Sequence, residues 1–426
     1  EAWAHQAGDP GYRLAKWGYE GAPLGIHSSF EVLDGLWPPA SDRDAEIDPL
    51  SLHTDMDMFS NYPGVESEQE LDDDIKKYID KKYVLQFNTL EEVKQYVNGE
   101  PVVSKIGRPT RKKWDNKTHK WITKARTILD QKESQVTVAT GIKHRSTLPR
   151  TTNAIKDALA LSLDLQEGED IEWLVGDFED AFWIVPSSPG ERRYTVIWWR
   201  GKYLVLTRIA QGSRAGPLIF VSVAALSARL VQSLFLQKKG RRAKTLEELR
   251  LQVYVDDPLA VARGTPQRRE RLFTMLTLAW QVLGFPMALH KAQWGQRVDW
   301  IGIQLIWSNS SVVATVAEEK IAELTVLTNK ILSKNVVAND ELRTYCGKVQ
   351  SLANLLFALR PFVGELWAAL HSASEGAPRN CTWTKQCRMS LLWLLIFYKQ
   401  SSQGPLRRTF TADACFISSG VKITIG

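Results

Sequence analysis

Residues 251–261 read LQVYVDDPLAV, in which Asp256 and Asp257 stand between two apolar, β-prone runs. This pattern predicts a strand, a tight turn and a second strand, with both acids at the turn. Adjacent carboxylates repel each other, and a bound divalent cation relieves that repulsion. Aspartate is also common in hairpin turns that bind nothing, so the hairpin alone leaves both interpretations open.

A second apolar run that ends in acids lies upstream, where residues 171–182 read IEWLVGDFEDAF. It predicts a strand with Asp177 at its carboxyl end. Together with Asp256 and Asp257, this residue offers three carboxylates from two strands, enough to hold two Mg²⁺ (or Mn²⁺) ions. Such a metal pair suits in-line attack of a hydroxyl on an α-phosphate. Surface solvation explains Glu179 and is the alternative for Asp180.

The 426 residues have a net charge of +6 that is unevenly distributed. Residues 31–80 carry a balance of −12, whereas residues 105–150 carry +10. A basic stretch with interspersed tryptophans suits a nucleic-acid backbone, and a solvated face is the alternative. The candidate phosphate contacts in this stretch are Arg111, Lys112 and Lys113.

Composition excludes several classes of protein. Charged residues make up 24% and hydrophobic residues 44%, which excludes a disordered chain, a collagen and a coiled-coil rod. Four cysteines without metal-knuckle spacing favour a reducing, intracellular compartment, with cytoplasm or nucleus left open. The longest uninterrupted apolar stretch, residues 391–398, is far shorter than a membrane span, so no membrane partner is expected. The start at Glu1 and the strand-like end indicate a fragment of a longer polypeptide, and the oligomeric state is left open.

Taken together, these runs and four others resemble the motifs of a retroelement reverse transcriptase of the long-terminal-repeat or DIRS-like kind. The six motifs, in chain order, are residues 124–130 (KARTILD), 177–182 (DFEDAF), 211–217 (QGSRAGP), 254–257 (YVDD), 283–291 (LGFPMALHK) and 298–302 (VDWIG). Downstream, Asp413 in FTADAC resembles the first acid of an appended ribonuclease H domain. Each motif alone is weak, but six in the family's order are specific.

The resemblance implies an α+β fold shaped as a right-hand polymerase, with fingers, a palm on an antiparallel sheet and a helical thumb. We expect fingers and palm over residues 86–310, with the palm at 171–184 and 214–305. The thumb is expected over 311–375, and a linker with a truncated ribonuclease H-like start over 376–426. Residues 1–85, which are Gly/Pro-rich and then acidic, are expected to be partly disordered and have no assigned role.

The resemblance also implies an activity, RNA-directed DNA polymerisation, and a set of site residues. Two Mg²⁺ ions would be held by Asp177 and Asp256, with Asp257 assisting. The nucleotide would be bound by Lys124, Arg126, Phe182, Gln211, Gly212 and Lys291. In this set Phe182 would lie under the sugar, and Lys291 is a candidate proton donor. Trp300 and Gly302 would form the primer grip, and the partners would be an RNA template, a DNA primer/template and deoxynucleoside triphosphates.

Three positions depart from the family's pattern: Gly216 replaces a serine, Ala210 replaces a proline, and Pro258 follows the acid pair. Proline has no N–H for a strand ladder and restricts the residue before it, so the hairpin is expected to be distorted. Two alternatives therefore stay open. One is a catalytically decayed nucleic-acid-binding remnant. The other is an RNA-dependent RNA polymerase, against which Phe182 argues because that enzyme must admit a 2′-hydroxyl.

Overall fold

The fold is that of a computed structural model, which describes residues 1–40, 45–63, 65, 69–115, 120–237, 246–372, 375–400, 406–412 and 423–425. Its α-helices are α1 (Ala2–Gln6), α2 (Trp17–Glu20), α3 (Gln69–Asp80), α4 (Leu90–Val97), α5 (Val136–Ala139), α6 (Thr151–Ser162), α7 (Gly216–Ser233), α8 (Pro266–Val282), α9 (Glu318–Leu332), α10 (Asn339–Ala353), α11 (Arg360–His371) and α12 (Arg388–Lys399).

The strands are β1 (Val84–Phe87), β2 (Val103–Gly107), β3 (Thr110–Asp115), β4 (Lys120–Ala125), β5 (Ile128–Asp130), β6 (Asp170–Val175), β7 (Val196–Trp199), β8 (Lys202–Leu206), β9 (Leu236–Gln237), β10 (Leu246–Glu247), β11 (Leu249–Tyr254), β12 (Asp257–Gly264), β13 (Gln293–Gly295), β14 (Arg297–Trp300), β15 (Ile303–Ser308), β16 (Ser311–Val316), β17 (Val336–Ala338), β18 (Cys381–Trp383), β19 (Arg407–Ala412) and β20 (Ile423–Ile425).

Both predicted acid-bearing strands belong to one four-stranded antiparallel sheet, with the order β11-β12-β6-β13. Successive side chains of a strand leave opposite faces of the sheet. Trp173 and Val175 of β6 therefore join one hydrophobic core with α6, whereas Leu174 joins a second core with α7 and α8. Since β12 lies between β11 and β6, it is buried from Pro258 to Gly264. This double burial holds the sheet as a rigid platform for the acids.

A second sheet, with the order β1-β8-β7-β2-β5, forms the region N-terminal to and between the acid-bearing strands. The helix α4 packs on it and begins with a capping box, in which Thr89 and Glu92 each bond the other's main-chain N–H. The hairpin β3–β4 forms a separate two-stranded ladder, in which Arg111 lies opposite Lys124. The basic stretch predicted from the sequence therefore includes a β-hairpin.

A third sheet, with the order β14-β15-β16-β19-β20, lies beside the helices α9 to α11 and shares their core. The strand β19 pairs with β16 and buries Phe410, so the predicted C-terminal strands continue this sheet. Asp413 lies outside the described residues. Whether these strands begin a ribonuclease H domain therefore stays a prediction.

Residues 1–40 are packed, whereas residues 1–85 were expected to be partly disordered. They contact α7 and α8, the helices beside the sheet β11-β12-β6-β13, which we call the palm sheet. Leu14, Trp17 and Phe30 are buried in the same core as α7 and α8. The buried carboxylate of Glu191 accepts hydrogen bonds from the main-chain N–H groups of residues 26–28, at 2.6 to 3.1 Å. The expectation rested on Gly/Pro content, which says nothing about partners far away in the chain.

One helix among the described residues, α7, is long and apolar enough to cross a membrane by length and composition alone. The sequence does not show α7 as an uninterrupted apolar stretch, because serines and one arginine interrupt its apolar run. In the structure 61% of this helix is buried inside the protein. A helix that is apolar on most sides is also typical of the core of a large domain, and α7 occupies that place here.

Candidate active site on the palm sheet

The structure brings Asp177 and Asp256 together through main-chain hydrogen bonds between their two loops. The strand β6 ends at Val175, and the next N–H, that of Gly176, donates to the Pro258 carbonyl at 2.9 Å. The N–H of Phe178 then donates to the Asp256 carbonyl at 3.0 Å. These two bonds lock the end of one acid-bearing strand onto the turn that carries the other acid.

The second acid lies on a two-residue hairpin turn formed by Val255 and Asp256, since Tyr254 pairs with Asp257. Val255 adopts a left-handed backbone conformation with φ of 57°. Tight hairpins require positive φ in the turn, but β-branched residues adopt it only with strain of about 1–3 kcal/mol. A strained turn that the surrounding sheet enforces is typical of functional sites.

Pro258 does not distort the hairpin as expected. The register of β11 with β12 runs without interruption from Leu249 opposite Ala262 to Tyr254 opposite Asp257, and Val253 lies opposite Pro258. Proline still removes one bond: its carbonyl accepts from Gly176, but it has no N–H to donate in return. The neighbouring pairs of β12 with β6, from Leu259 opposite Val175 onward, compensate for that loss.

The charges around Asp256 pull its pKa in opposite directions, with a net upward shift. Burial raises the pKa of Asp256 most, and the negative charge of Asp177 raises it further. Arg126 and Lys291 act against this shift through their positive charges. The ammonium group of Lys291 also forms an ion pair with the Asp177 carboxylate. Residues from four separate motifs therefore share one electrostatic environment.

The donor set suits a hard divalent cation. Two aspartates repel each other there, and a cationic side chain already lies between the loops. The described residues contain no group of three or more His, Cys, Asp or Glu side chains placed to hold a metal. Asp257 is the first residue of β12, directly after the turn that carries Asp256, and its role as a third ligand stays a prediction. Two carboxylates still fit Mg²⁺, which is commonly held by one or two carboxylates with phosphates and water.

Trp300, which the sequence predicts to grip nucleic acid, is 1% exposed in this structure, so that role stays a prediction. Its indole N–H donates to the main-chain carbonyl of Asp257 at 3.0 Å, and its ring packs edge-on against Tyr254. Trp300 therefore supports the acidic hairpin from beneath. Gly302 lies in the turn between β14 and β15 with φ of 82°, a conformation that glycine adopts without strain.

Gln211 and Gly212 contact the protein's own backbone. The N–H of Leu129 donates to the Gln211 carbonyl at 3.0 Å. A Cβ atom on Gly212 would lie 2.1 Å from the Leu129 carbonyl oxygen, so glycine is required there by β5. This contact accounts for the glycine, and the predicted approach of Gln211 and Gly212 to a nucleotide stays a prediction. Gly216 begins α7, where a Cβ atom would lie 2.8 Å from the Ser213 hydroxyl oxygen.

Phe182 follows the first acid on a single 3-10 turn, Ala181–Ile184. Its ring is half-buried and stacks on Phe220 of α7, with a centroid separation of 5.3 Å. Asp180, the residue before this 3-10 turn, is not a solvated surface acid. It accepts hydrogen bonds from Lys77 and Lys81; burial alone would raise the pKa of Asp180, but these bonds hold it below its usual value.

The basic residues of the hairpin β3–β4 reach the site to different extents. Lys124 and Arg126 are both exposed, and the positive charge of Arg126 acts to lower the pKa of Asp256. The backbone of residues 111–113 is part of β3, but their side chains lie outside what the structure describes. Their contact with phosphate stays a prediction.

Sequence reasoning missed Asp157, which braces the acid-bearing strand from α6. Its buried carboxylate accepts from Gln252 Nε2 at 2.6 Å and from Arg250 Nη1 at 3.2 Å. Both donors lie on β11, two residues apart and therefore on one face. The sequence signal for this contact is that Arg250 and Gln252 alternate with apolar residues in β11, which indicates a polar partner on one face of the strand.

The comparisons with known proteins support the fold. No family model matches the chain, and no curated protein matches it. Among solved structures, it is similar to a foamy viral protease-reverse transcriptase in complex with double-stranded DNA, with 14% identity over 92% of this chain and a TM-score of 0.52. The chain spans 60% of that protein's length. Two further foamy viral protease-reverse transcriptase structures, one with double-stranded DNA and one with an RNA/DNA hybrid, have TM-scores of 0.49 and 0.47. The α+β fold of a right-hand polymerase, predicted from the sequence, is thereby confirmed.

Proposed function

We propose that this chain is an RNA-directed DNA polymerase of a retrotransposon, which transfers nucleotides onto a primer 3′-hydroxyl with two Mg²⁺ ions. The observation that carries the proposal is the junction of Asp177 and Asp256 on adjacent loops of one antiparallel sheet. When bound, the ions would stabilise charge on the attacking and leaving oxygens. Asp177 and Asp256 would hold them, and Asp257 is a further candidate ligand.

The cations around the acids fit a triphosphate substrate. Arg126 approaches from the hairpin β3–β4 and Lys291 from the loop before β13, so positive charge surrounds the acids from two sides. A planar guanidinium suits phosphate oxygens, and an ammonium near the leaving group can supply a proton. Because Lys291 pairs with Asp177 in this state, it would exchange that partner for substrate.

A decayed remnant is the weaker alternative. Its main support was Pro258, yet the hairpin register is intact around this residue. An RNA-dependent RNA polymerase would share the two acids, and only the sugar preference separates it from the proposed enzyme.

The test is primer extension with Mg²⁺ on matched RNA and DNA templates, with deoxynucleotides and ribonucleotides supplied in separate reactions. We expect extension with deoxynucleotides on the RNA template. Extension only with ribonucleotides would instead identify an RNA polymerase. Tight primer–template binding without any extension would identify a remnant.

A further inference from the structure

A cavity of about 180 Å³ opens beside the acidic turn and has no role in the site described above. It is lined on one side by Val253 of β11 and by Val255 of the hairpin turn, and on the other by small residues of α7 such as Ala225. Val255 is the residue immediately before Asp256. The cavity therefore lies along the edge strand of the palm sheet and reaches the catalytic turn.

A further part of the wall comes from Trp37, which belongs to the N-terminal segment. Its indole N–H donates to the Ser222 hydroxyl of α7 at 2.8 Å, which fixes the plane of the ring. The backbone on its C-terminal side is also anchored, because the Pro38 carbonyl accepts from the Arg145 N–H at 3.0 Å and the Ala40 N–H donates to the Lys143 carbonyl at 2.8 Å. The ring is thus partly buried and held in a fixed orientation.

Cationic side chains lie near this aromatic wall. Arg229 lines the cavity, but its charge is matched by the buried Asp9 through bonds of 2.6 and 2.9 Å, so the net positive charge comes from the loop at residues 145–150. Arg145 and Arg150 are exposed and flank the lining loop at Thr147 and Pro149. An aromatic ring held rigidly beside cationic side chains is the arrangement by which proteins bind single nucleic-acid strands without sequence preference.

We propose that Trp37 stacks on a base or sugar of the nucleic-acid strand that passes the catalytic turn, so that the N-terminal segment completes the primer–template groove. This inference rests on the proposed function. The cavity has a volume of about 180 Å³ and lies open along the edge strand, so we expect it to receive one flat ring of a longer strand.

The experiment measures the dissociation constant of a primer–template duplex for the full chain and for three variants. Trp37→Ala is expected to weaken binding roughly 5- to 150-fold, the range for losing one stacked base. Trp37→Phe keeps a ring and should stay within a few-fold of wild type. Leu36→Ala is the matched control, because Leu36 packs on the same core and does not line the cavity; it should bind like wild type.

Photocrosslinking of wild-type protein to a duplex containing 5-iododeoxyuridine tests the contact without any variant, and we expect a crosslink on Trp37. Unchanged binding by Trp37→Ala, equal losses in Leu36→Ala, or failure of Trp37→Phe to restore binding would each overturn the inference. Extension by wild type is measured in parallel. If wild type extends primers and Trp37→Ala binds normally, only this inference fails; if binding depends on Trp37 without extension, only the polymerase proposal fails.

Discussion

The main-chain N–H of Phe178 donates to the carbonyl of Asp256 at 3.0 Å, which ties the loop after β6 to the turn between β11 and β12. This bond joins positions 78 residues apart in the sequence. The bond places the loop of Asp177 beside the turn of Asp256. Main-chain hydrogen bonds, and not side-chain contacts, join these two loops. Five consequences for activity, binding and stability can be measured.

Phe182→Val tests whether this ring selects the sugar. If the ring lies beneath the deoxyribose, the smaller side chain should admit ribonucleotides, with selectivity reduced roughly 10- to 200-fold. Single-nucleotide incorporation of matched deoxy- and ribonucleotides measures this. Phe182 also stacks on Phe220, and a purely structural role predicts a lower melting temperature with unchanged selectivity. Wild type that already prefers ribonucleotides would refute the reverse-transcriptase proposal itself.

Neutralising Arg111, Lys112 and Lys113 together tests the basic hairpin. We expect weaker binding to every sequence alike, and a log K against log salt plot that flattens by about 0.9 for each phosphate that the variant no longer neutralises. A matched control neutralises three basic fingers residues that already have protein partners, namely Lys94, Arg200 and Lys202. An unchanged salt slope in the first variant would mean that these charges only face solvent.

Tyr62→Phe tests a pH-dependent contact between the N-terminal region and Asp130 of β5. The hydroxyl of Tyr62 donates to Asp130 at 2.5 Å; this bond lowers the pKa of Asp130 and raises the pKa of Tyr62 to about 12. A carboxyl with a lowered folded pKa stabilises the fold above its unfolded pKa, near 3.9, and loses that contribution as the pH falls through the folded pKa.

We therefore expect Tyr62→Phe to lose about 1 kcal/mol of unfolding free energy at pH 7, a value reduced for partial exposure. The deficit should shrink as the pH falls below about 4, because Asp130 becomes protonated in both proteins. Denaturant unfolding across this pH range measures it. A deficit that stays constant with pH would show that Asp130 is not the partner that matters.

Trp300→Phe tests the support beneath the hairpin. The ring volume is largely kept, but the 3.0 Å bond to the Asp257 carbonyl is removed, which should reduce stability by about 1–3 kcal/mol. Extension should slow more than duplex binding weakens, since the residue is buried beneath the turn and not in a groove. A change in the salt slope of binding would contradict this placement.

The sequence predicted the strands of the acid-bearing sheet well because they are marked locally. The apolar run at 171–175 precedes Asp177, two apolar runs flank the acids within 249–264, and all three became strands of one sheet. The orientation of Trp300 could not be read from its motif, since only the burial of alternate residues in β14 decides it. Packing of the N-terminal segment depends on pairs such as Asp9 with Arg229, 220 residues apart, which no local pattern reveals.

The arrangement of the acids could not be predicted from the sequence. Three aspartates in two motifs suggested one group of ligands, and the structure shows that main-chain hydrogen bonds join the loops of Asp177 and Asp256. The electrostatic effect of Arg126 on Asp256 links residues 130 positions apart, which no local pattern reveals. Spacing along the chain predicted candidate residues for the chemistry, and the fold determines which of them meet.

Primer extension by Asp256→Asn is the most direct test of the central claim, that Asp177 and Asp256 form the metal-binding centre of a polymerase. The matched control is Glu179→Gln, which neutralises an exposed carboxylate in the neighbouring loop. We predict that Asp256→Asn folds, binds primer–template like wild type and loses roughly a thousandfold or more in extension rate, while Glu179→Gln keeps its activity. Near-normal extension by Asp256→Asn would contradict the account.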